Sequence, residues 1–356
     1  MRGCRPAALV LMLSCAAGLL GGQSRPKRGR IVEDTLHAAS LERNLYGDSP
    51  DRLVFVYLPP SYAANTNRRY PVVYLLHGVD VDARQWLHMT TQPFAMGPSM
   101  DSLVAGGLVR EMIIVMPDAH TRLGGSFYAN SVSAGNWDDF IATDLVHFID
   151  AKYRTVARVE SRGLAGHSMG GYGALTIGMR HAGTVFGAVY SMSPCCTRMT
   201  VAAGTAMQAV WPVLSSAEST GVLPPSPLIH HLVALAAALS PDASRPPFFI
   251  DVPFVTVDGR ASVVDSVFSR WTANTPYDMI PRYRDDLRRL RGLALDVGKN
   301  DQDVTPADVG EMDIALSAAG IAHTFATFEG GHVDHIAVRL TDAVFPFFSR
   351  TLVFPR

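Results

Sequence analysis

Ser168 stands at the centre of Gly166-His167-Ser168-Met169-Gly170. This G-x-S-x-G spacing lifts a serine out of a sharp strand-to-helix turn, and the flanking glycines relieve the crowding there. The context fits, since the apolar stretch Gly163-Leu164-Ala165 precedes the motif and a helix-compatible run, Tyr172 to His181, follows it. The chemistry implied is acyl transfer through a serine nucleophile. A serine hydroxyl needs a base to take its proton, and the base needs a carboxylate to fix its tautomer. With this motif the acid follows the serine in the chain and the histidine comes last.

The C-terminal third supplies such a pair. Leu293 to Gly298 reads as a buried strand, with Lys299-Asn300-Asp301 as the turn after it. A helix over about 306–319 follows, then a strand, Thr324 to Phe328, ending in Glu329-Gly330-Gly331-His332. Asp301 and His332 both fall just past strand C-termini, the edge where open parallel sheets place ligands. Asp303 replaces Asp301 as the acid if the turn is longer. Asp296 lies within its strand and reads as structural. His335 is near His332, but His332 directly follows the Gly-Gly pair. Asp118 precedes the serine and is read as structural or pocket-lining.

Acyl transfer also needs donors aimed at the developing oxyanion. One is the backbone N–H of Met169, the residue after the serine. The other comes from the loop after an early strand. That strand is Tyr70 to Leu76 and the loop is His77-Gly78-Val79, which makes the Val79 N–H the second donor.

Strand-like runs at 52–58, 70–76, 111–116, 162–166, 185–191, 292–297 and 323–328 alternate with helical stretches. This predicts a mostly parallel sheet with helices on both faces. The run 52–58 is expected to be antiparallel and at the sheet edge. Asp138 to Tyr153 reads as a helix with Ile141, Leu145, Phe148 and Ile149 on one face. Residues 196–270 break the alternation with Pro-rich turns around the apolar segment Leu228 to Leu239. This insertion is placed to form a lid or acyl-pocket wall, or else to pad the core.

These motifs, spread from about residue 50 to the C-terminus, resemble the putative-esterase family of α/β-hydrolases. That family includes feruloyl esterases, S-formylglutathione hydrolase and the secreted mycolyltransferases of the antigen 85 type. The resemblance rests on Val56-Tyr57-Leu58-Pro59-Pro60-Ser61-Tyr62, on Tyr70 to Gly78 with Trp86 downstream, and on Ile114-Val115-Met116-Pro117-Asp118. It continues through Ser126 to Ser131, Gly135 to Phe140, the serine motif and Gly330-Gly331-His332. It implies an α/β-hydrolase fold, nucleophile Ser168, acid Asp301, base His332 and oxyanion donors Val79 and Met169. The stretch from about Cys195 to Phe268 departs from the pattern, so no specificity carries over there.

The 356 residues, with 31 basic against 32 acidic side chains and 48% hydrophobic content, fit one hydrolase domain with an insertion. No charge excess points to nucleic acid or an acidic polymer. Residues 1–24 read as a secretory signal peptide, with basic Arg2 and Arg5 before an apolar stretch. Residues 25–48 read as a leader and 49–356 as the catalytic domain. A lipoprotein cleavage that leaves an anchored Cys15 is a minor alternative. Cys195 and Cys196 are adjacent and are expected as free thiols, with a vicinal disulfide as the alternative. Neither they nor His230-His231 has metal-ligand spacing.

The reading is therefore a secreted or periplasmic serine carboxylic-ester hydrolase, with no cofactor and no metal. Its partner is a small-molecule or saccharide-linked ester. Trp86, Tyr128 and Trp137, in loops after strands, are expected to contact the substrate. The alternatives are an acyltransferase that uses a sugar hydroxyl as acceptor, and a non-catalytic binding module.

Overall fold

The computed structural model describes residues 28–206 and 208–355. The expected signal peptide, with Cys4 and Cys15, lies outside them. Eight strands form the central sheet. They are β1 (Arg30–His37), β2 (Asp51–Leu58), β3 (Val72–Leu76), β4 (Ile113–Pro117), β5 (Arg162–His167), β6 (Ala188–Met192), β7 (Gly292–Gly298) and β8 (Thr324–Phe328). Their order is β1-β2-β4-β3-β5-β6-β7-β8. β2 runs antiparallel to both β1 and β4, and every other neighbouring pair is parallel.

The period-2 alternation of strand side chains builds two cores. Val72, Tyr74 and Leu76 face one, together with Tyr172 and Leu175 from the helix Met169–Arg180 and Met312 and Leu316 from the helix Pro306–Ala318. Val73 and Leu75 face the other, with Met96 and Met100 from Met96–Ala105 and Phe345 and Phe348 from Phe345–Thr351. Both faces are thus apolar, which is why strands such as β3 and β4 read as unbroken hydrophobic runs.

Two expectations are corrected at the N-terminal side. The expected leader contains a strand, β1, in register with β2 from Arg30 opposite Leu58 to His37 opposite Asp51. β2 is therefore an inner strand, and β1 is the edge. The signal was weak because β1 buries little beyond Leu36, as is usual for an edge strand. The helix expected over 138–153 is present, with a π-helical stretch, Phe140–Leu145, between Trp137–Asp139 and Val146–Lys152.

The insertion holds the helices Trp211–Thr220, Pro227–Leu239 and Asp265–Thr272 and a hairpin, Phe254–Val257 with Arg260–Val263. It belongs to the main core. Val233, Ala236 and Leu239 are buried in the same cluster as Val72 and Trp137. Tyr46 Oη donates to the Phe248 carbonyl, and Ser133 Oγ donates to that of Phe249.

Candidate active site

The serine motif is the junction of β5 and the helix Met169–Arg180. Ser168 sits there at φ 59° and ψ −118°, a conformation strained for a residue with a side chain. The strain follows from close packing of the turn. A Cβ on Gly166 would stand 2.1 Å from the Gly170 carbonyl oxygen, and one on Gly170 would stand 2.3 Å from that of Leu76. Only glycine fits either place. The Ser168 N–H donates to the Met192 carbonyl at 3.0 Å, which fixes the turn against β6.

Ser168 Oγ lies 2.8 Å from Nε2 of His332, and Nδ1 of His332 lies 2.8 Å from Oδ2 of Asp301. A carboxylate accepting at Nδ1 selects the Nδ1–H tautomer and leaves Nε2 to accept the serine proton. The Asp301 side chain is fully buried, and its other oxygen accepts the backbone N–H groups of Asp303 and Val304, each at 3.0 Å. Asp303 thus supports Asp301 through its amide, while Asp301 holds the histidine. The sequence-predicted Ser168, Asp301 and His332 are brought together, and His335 is the exposed residue at the start of the helix Ile336–Arg339.

The loop after β3 comes close to the serine, since a Cβ on Gly78 would stand 3.5 Å from that of Ser168. His77 anchors this loop from within the core. Its Nε2 accepts the Ala119 N–H at 2.8 Å, so its Nδ1–H donates to the Gly78 carbonyl at 2.7 Å. Asp80 N–H donates to the Gly124 carbonyl at 2.9 Å and pins the far side of Val79. Met169 is the first residue of its helix, where an amide has no intrahelical acceptor and the helix dipole favours negative charge.

Other acids have structural partners. Asp296 forms a buried ion pair with Arg339 and accepts from Tyr190 Oη at 3.0 Å. Asp118 pairs with Arg52 at 2.8 Å. Cys195 and Cys196 are free thiols, and the Cys195 N–H donates to the Ser168 carbonyl at 3.2 Å.

A family model described as Putative esterase matches residues 49–336. The chain belongs to the putative-esterase family. Esterase Rv1288 of Mycobacterium tuberculosis is 37% identical over 138 residues, covering 36% of this chain and 26% of that protein. The endo-1,4-beta-xylanase/feruloyl esterase of Xylanibacter ruminicola is 32% identical over 128 residues, covering 35% and 17%. The match therefore spans about a quarter or less of either curated relative. A solved ferulic acid esterase superposes with a TM-score of 0.63 at 25% identity, covering 91% of this chain and 99% of that one. The S-formylglutathione hydrolase from Agrobacterium tumefaciens does so at 0.57 and 16% identity, covering 91% and 96%. The fold is that of the α/β-hydrolases.

In this putative-esterase domain the three aromatic residues expected at the substrate are core residues instead. Trp86, Tyr128 and Trp137 are at most 1% exposed. Tyr128 packs against Gly173 of the helix after the serine and donates from Oη to the His77 carbonyl at 3.0 Å. Trp137 Nε1–H donates to the Ala134 carbonyl at 2.8 Å, and its ring carries the Arg52 guanidinium. The sequence reading set them in loops, where aromatics are buried or exposed according to tertiary packing.

Two spaces open beside the site. A depression of about 410 Å³ runs along His332, Gly331, Asn300 and Asp303. A cavity of about 160 Å³ lies between the segment after β6 and that after β7, walled by Cys196, Asp303, Val304, Trp211, Trp271 and Leu232. Leu232 and Leu235 share the helix Pro227–Leu239, but only Leu232 reaches the cavity. If the acyl chain of an ester substrate enters this cavity, Leu232→Ala is expected to change the preferred acyl length, because each buried methylene contributes about 0.8 kcal/mol. Leu235→Ala is expected to lower stability by roughly 2–5 kcal/mol and to depress all substrates together. Rates on short- and long-chain nitrophenyl esters, with melting temperatures of the same samples, check both outcomes.

Sequence reasoning missed two contacts on the His332 loop. Nε2 of His167 is 2.9 Å from the His332 carbonyl oxygen. Gln92 donates to the Val333 carbonyl and accepts the Ala337 N–H, both at 2.8 Å. Neither leaves a spacing signal, since each partner lies more than a hundred residues away in the chain.

Proposed function

We propose that this protein is a secreted serine carboxylic-ester hydrolase working through an acyl-enzyme on Ser168. The observation that carries the reading is the hydrogen-bonded line from Ser168 through His332 to the buried Asp301, mounted on a strained turn. Family membership and the names of the relatives support ester hydrolysis.

In the proposed reaction Ser168 Oγ attacks the ester carbonyl as His332 Nε2 takes its proton. The amides of Val79 and Met169 donate to the oxyanion. Collapse breaks the bond to the alcohol, which leaves with the proton from His332. Water then attacks the acyl-enzyme, giving its proton to His332, and the carboxylic acid departs as Oγ–H re-forms. Asp301 keeps the imidazole in the required tautomer and stabilises the imidazolium. No step calls on a cofactor.

Export rests on the N-terminal sequence, and among the described residues no helix is long and apolar enough to cross a membrane. A panel of nitrophenyl esters of increasing chain length beside methyl ferulate tests the activity, run with and without a sugar acceptor. Free acid as the product in both conditions supports hydrolysis. Acyl-sugar as the main product would make the chain a transferase, and turnover of none would overturn the reading.

A further inference from the structure

His167, immediately before the nucleophile, has a side chain that the proposed reaction does not use. It is 4% exposed, and its ring lies against that of His332, with centroids 4.7 Å apart at 43°. Its Nε2 is 2.9 Å from the carbonyl oxygen of His332. A carbonyl only accepts, so Nε2 carries the hydrogen. The contacts close a short circuit: Ser168 Oγ–H to His332 Nε2, His332 carbonyl to His167 Nε2–H, and the peptide bond from His167 back to Ser168.

The loop being held needs a clamp. It is exposed at Val333, Asp334 and His335, and it includes positive φ values at Gly330 and His335. Gln92 grips its far side at Val333, whereas His167 grips the residue that bears the base. We propose that His167 is a positioning residue, whose Nε2–H holds the His332 main chain so that the base imidazole stays within proton-transfer distance of Ser168.

The local charges agree with this role. Burial, with His332 and Arg339 nearby, holds the His167 imidazole well below the usual histidine range. Arg339 is itself paired with Asp296 and donates to Ser193 Oγ at 3.2 Å. A neutral neighbour adds no repulsion when His332 becomes imidazolium, and one fixed hydrogen gives the carbonyl a constant partner.

The inference rests on the serine-esterase reading, so its test separates the two. Wild-type enzyme is first treated with a fluorophosphonate probe; absence of label on Ser168 would overturn the underlying reading. With labelling established, His167→Gln and His167→Met are compared by labelling rate, kcat and KM on a nitrophenyl ester, and melting temperature. Glutamine extends an amide N–H to about the reach of Nε2, whereas methionine fills the space without a donor. His167→Met is expected to lose about 10²-fold in kcat, as for a misplacement near 1 Å, with KM little changed. His167→Gln is expected to recover most of that loss. Equal rates in wild type and His167→Met, or equal losses in two folded variants, would overturn the proposal.

If His167→Met does not fold, ¹⁵N-histidine spectra of the wild-type protein give the answer, with His167→Gln assigning the signal. The expected result is one neutral Nε2–H tautomer that persists as the pH is varied across neutrality. An Nδ1–H tautomer, or a ring that becomes charged over that range, would contradict the proposal.

Discussion

Ser168→Ala is expected to lower ester turnover by roughly four or more orders of magnitude, the scale of loss when one member of a triad is removed. In the proposed reaction the hydroxyl forms the acyl bond, and neither His332 nor the loop amides can replace it. The fold should be untouched, because Ser168 is held by its backbone: its N–H donates to Met192, and its carbonyl accepts from Tyr172 and Cys195. Alanine keeps the strained φ of 59°, so the melting temperature should barely move. Ser168→Gly should be equally inactive yet more stable, by about 1 kcal/mol, since glycine adopts that conformation with least strain. Kinetics and thermal melts on the same preparations check both variants.

Asp301→Asn is expected to cost on the order of 10⁴ in kcat, and the surrounding bonds indicate why. Oδ1 accepts two backbone amides, from Asp303 and Val304. An asparagine must keep its carbonyl oxygen on that side, which turns its NH₂ toward His332 Nδ1. The ring must then accept at Nδ1 and carry its hydrogen on Nε2, facing Ser168, where it cannot take the serine proton. Asp303→Asn retains the backbone N–H and should leave turnover nearly unchanged. The reverse pattern, with Asp303→Asn inactive and Asp301→Asn active, would place the acid on the wrong residue.

The geometry of the candidate site was largely legible because its residues have local signatures. Glycines flank Ser168, a turn follows β7 at Asp301, and Gly330-Gly331 precede His332 on the way out of β8. Chain order then assigned the parts, and the fold's parallel strands delivered them to one edge. Inner strands such as β3 and β4 were visible for a related reason, since strands buried on both faces are continuous apolar stretches. β1 escaped because its mostly exposed side chains include Arg30, Glu33 and His37, whereas the other edge strand, β8, carries Phe325 and Phe328.

What could not be read depends on contacts between distant segments. The burial of Trp86, Tyr128 and Trp137 is set by elements elsewhere in the chain. The grip of His167 on the His332 carbonyl spans 165 residues and uses a main-chain oxygen, which every residue type provides. The helix Pro227–Leu239 showed its apolar character but not its partners, and it divides its length between core packing and the cavity wall at Leu232.

Covalent trapping asks whether Ser168 is the nucleophile. The protein is incubated with a fluorophosphonate, digested, and its peptides mapped by mass spectrometry. One adduct is expected, on Ser168 in the peptide containing Gly166-His167-Ser168-Met169-Gly170, formed quickly in wild type and slowly in Asp301→Asn. An adduct on another residue, or an unmodified Ser168 in protein that still hydrolyses esters, would contradict it.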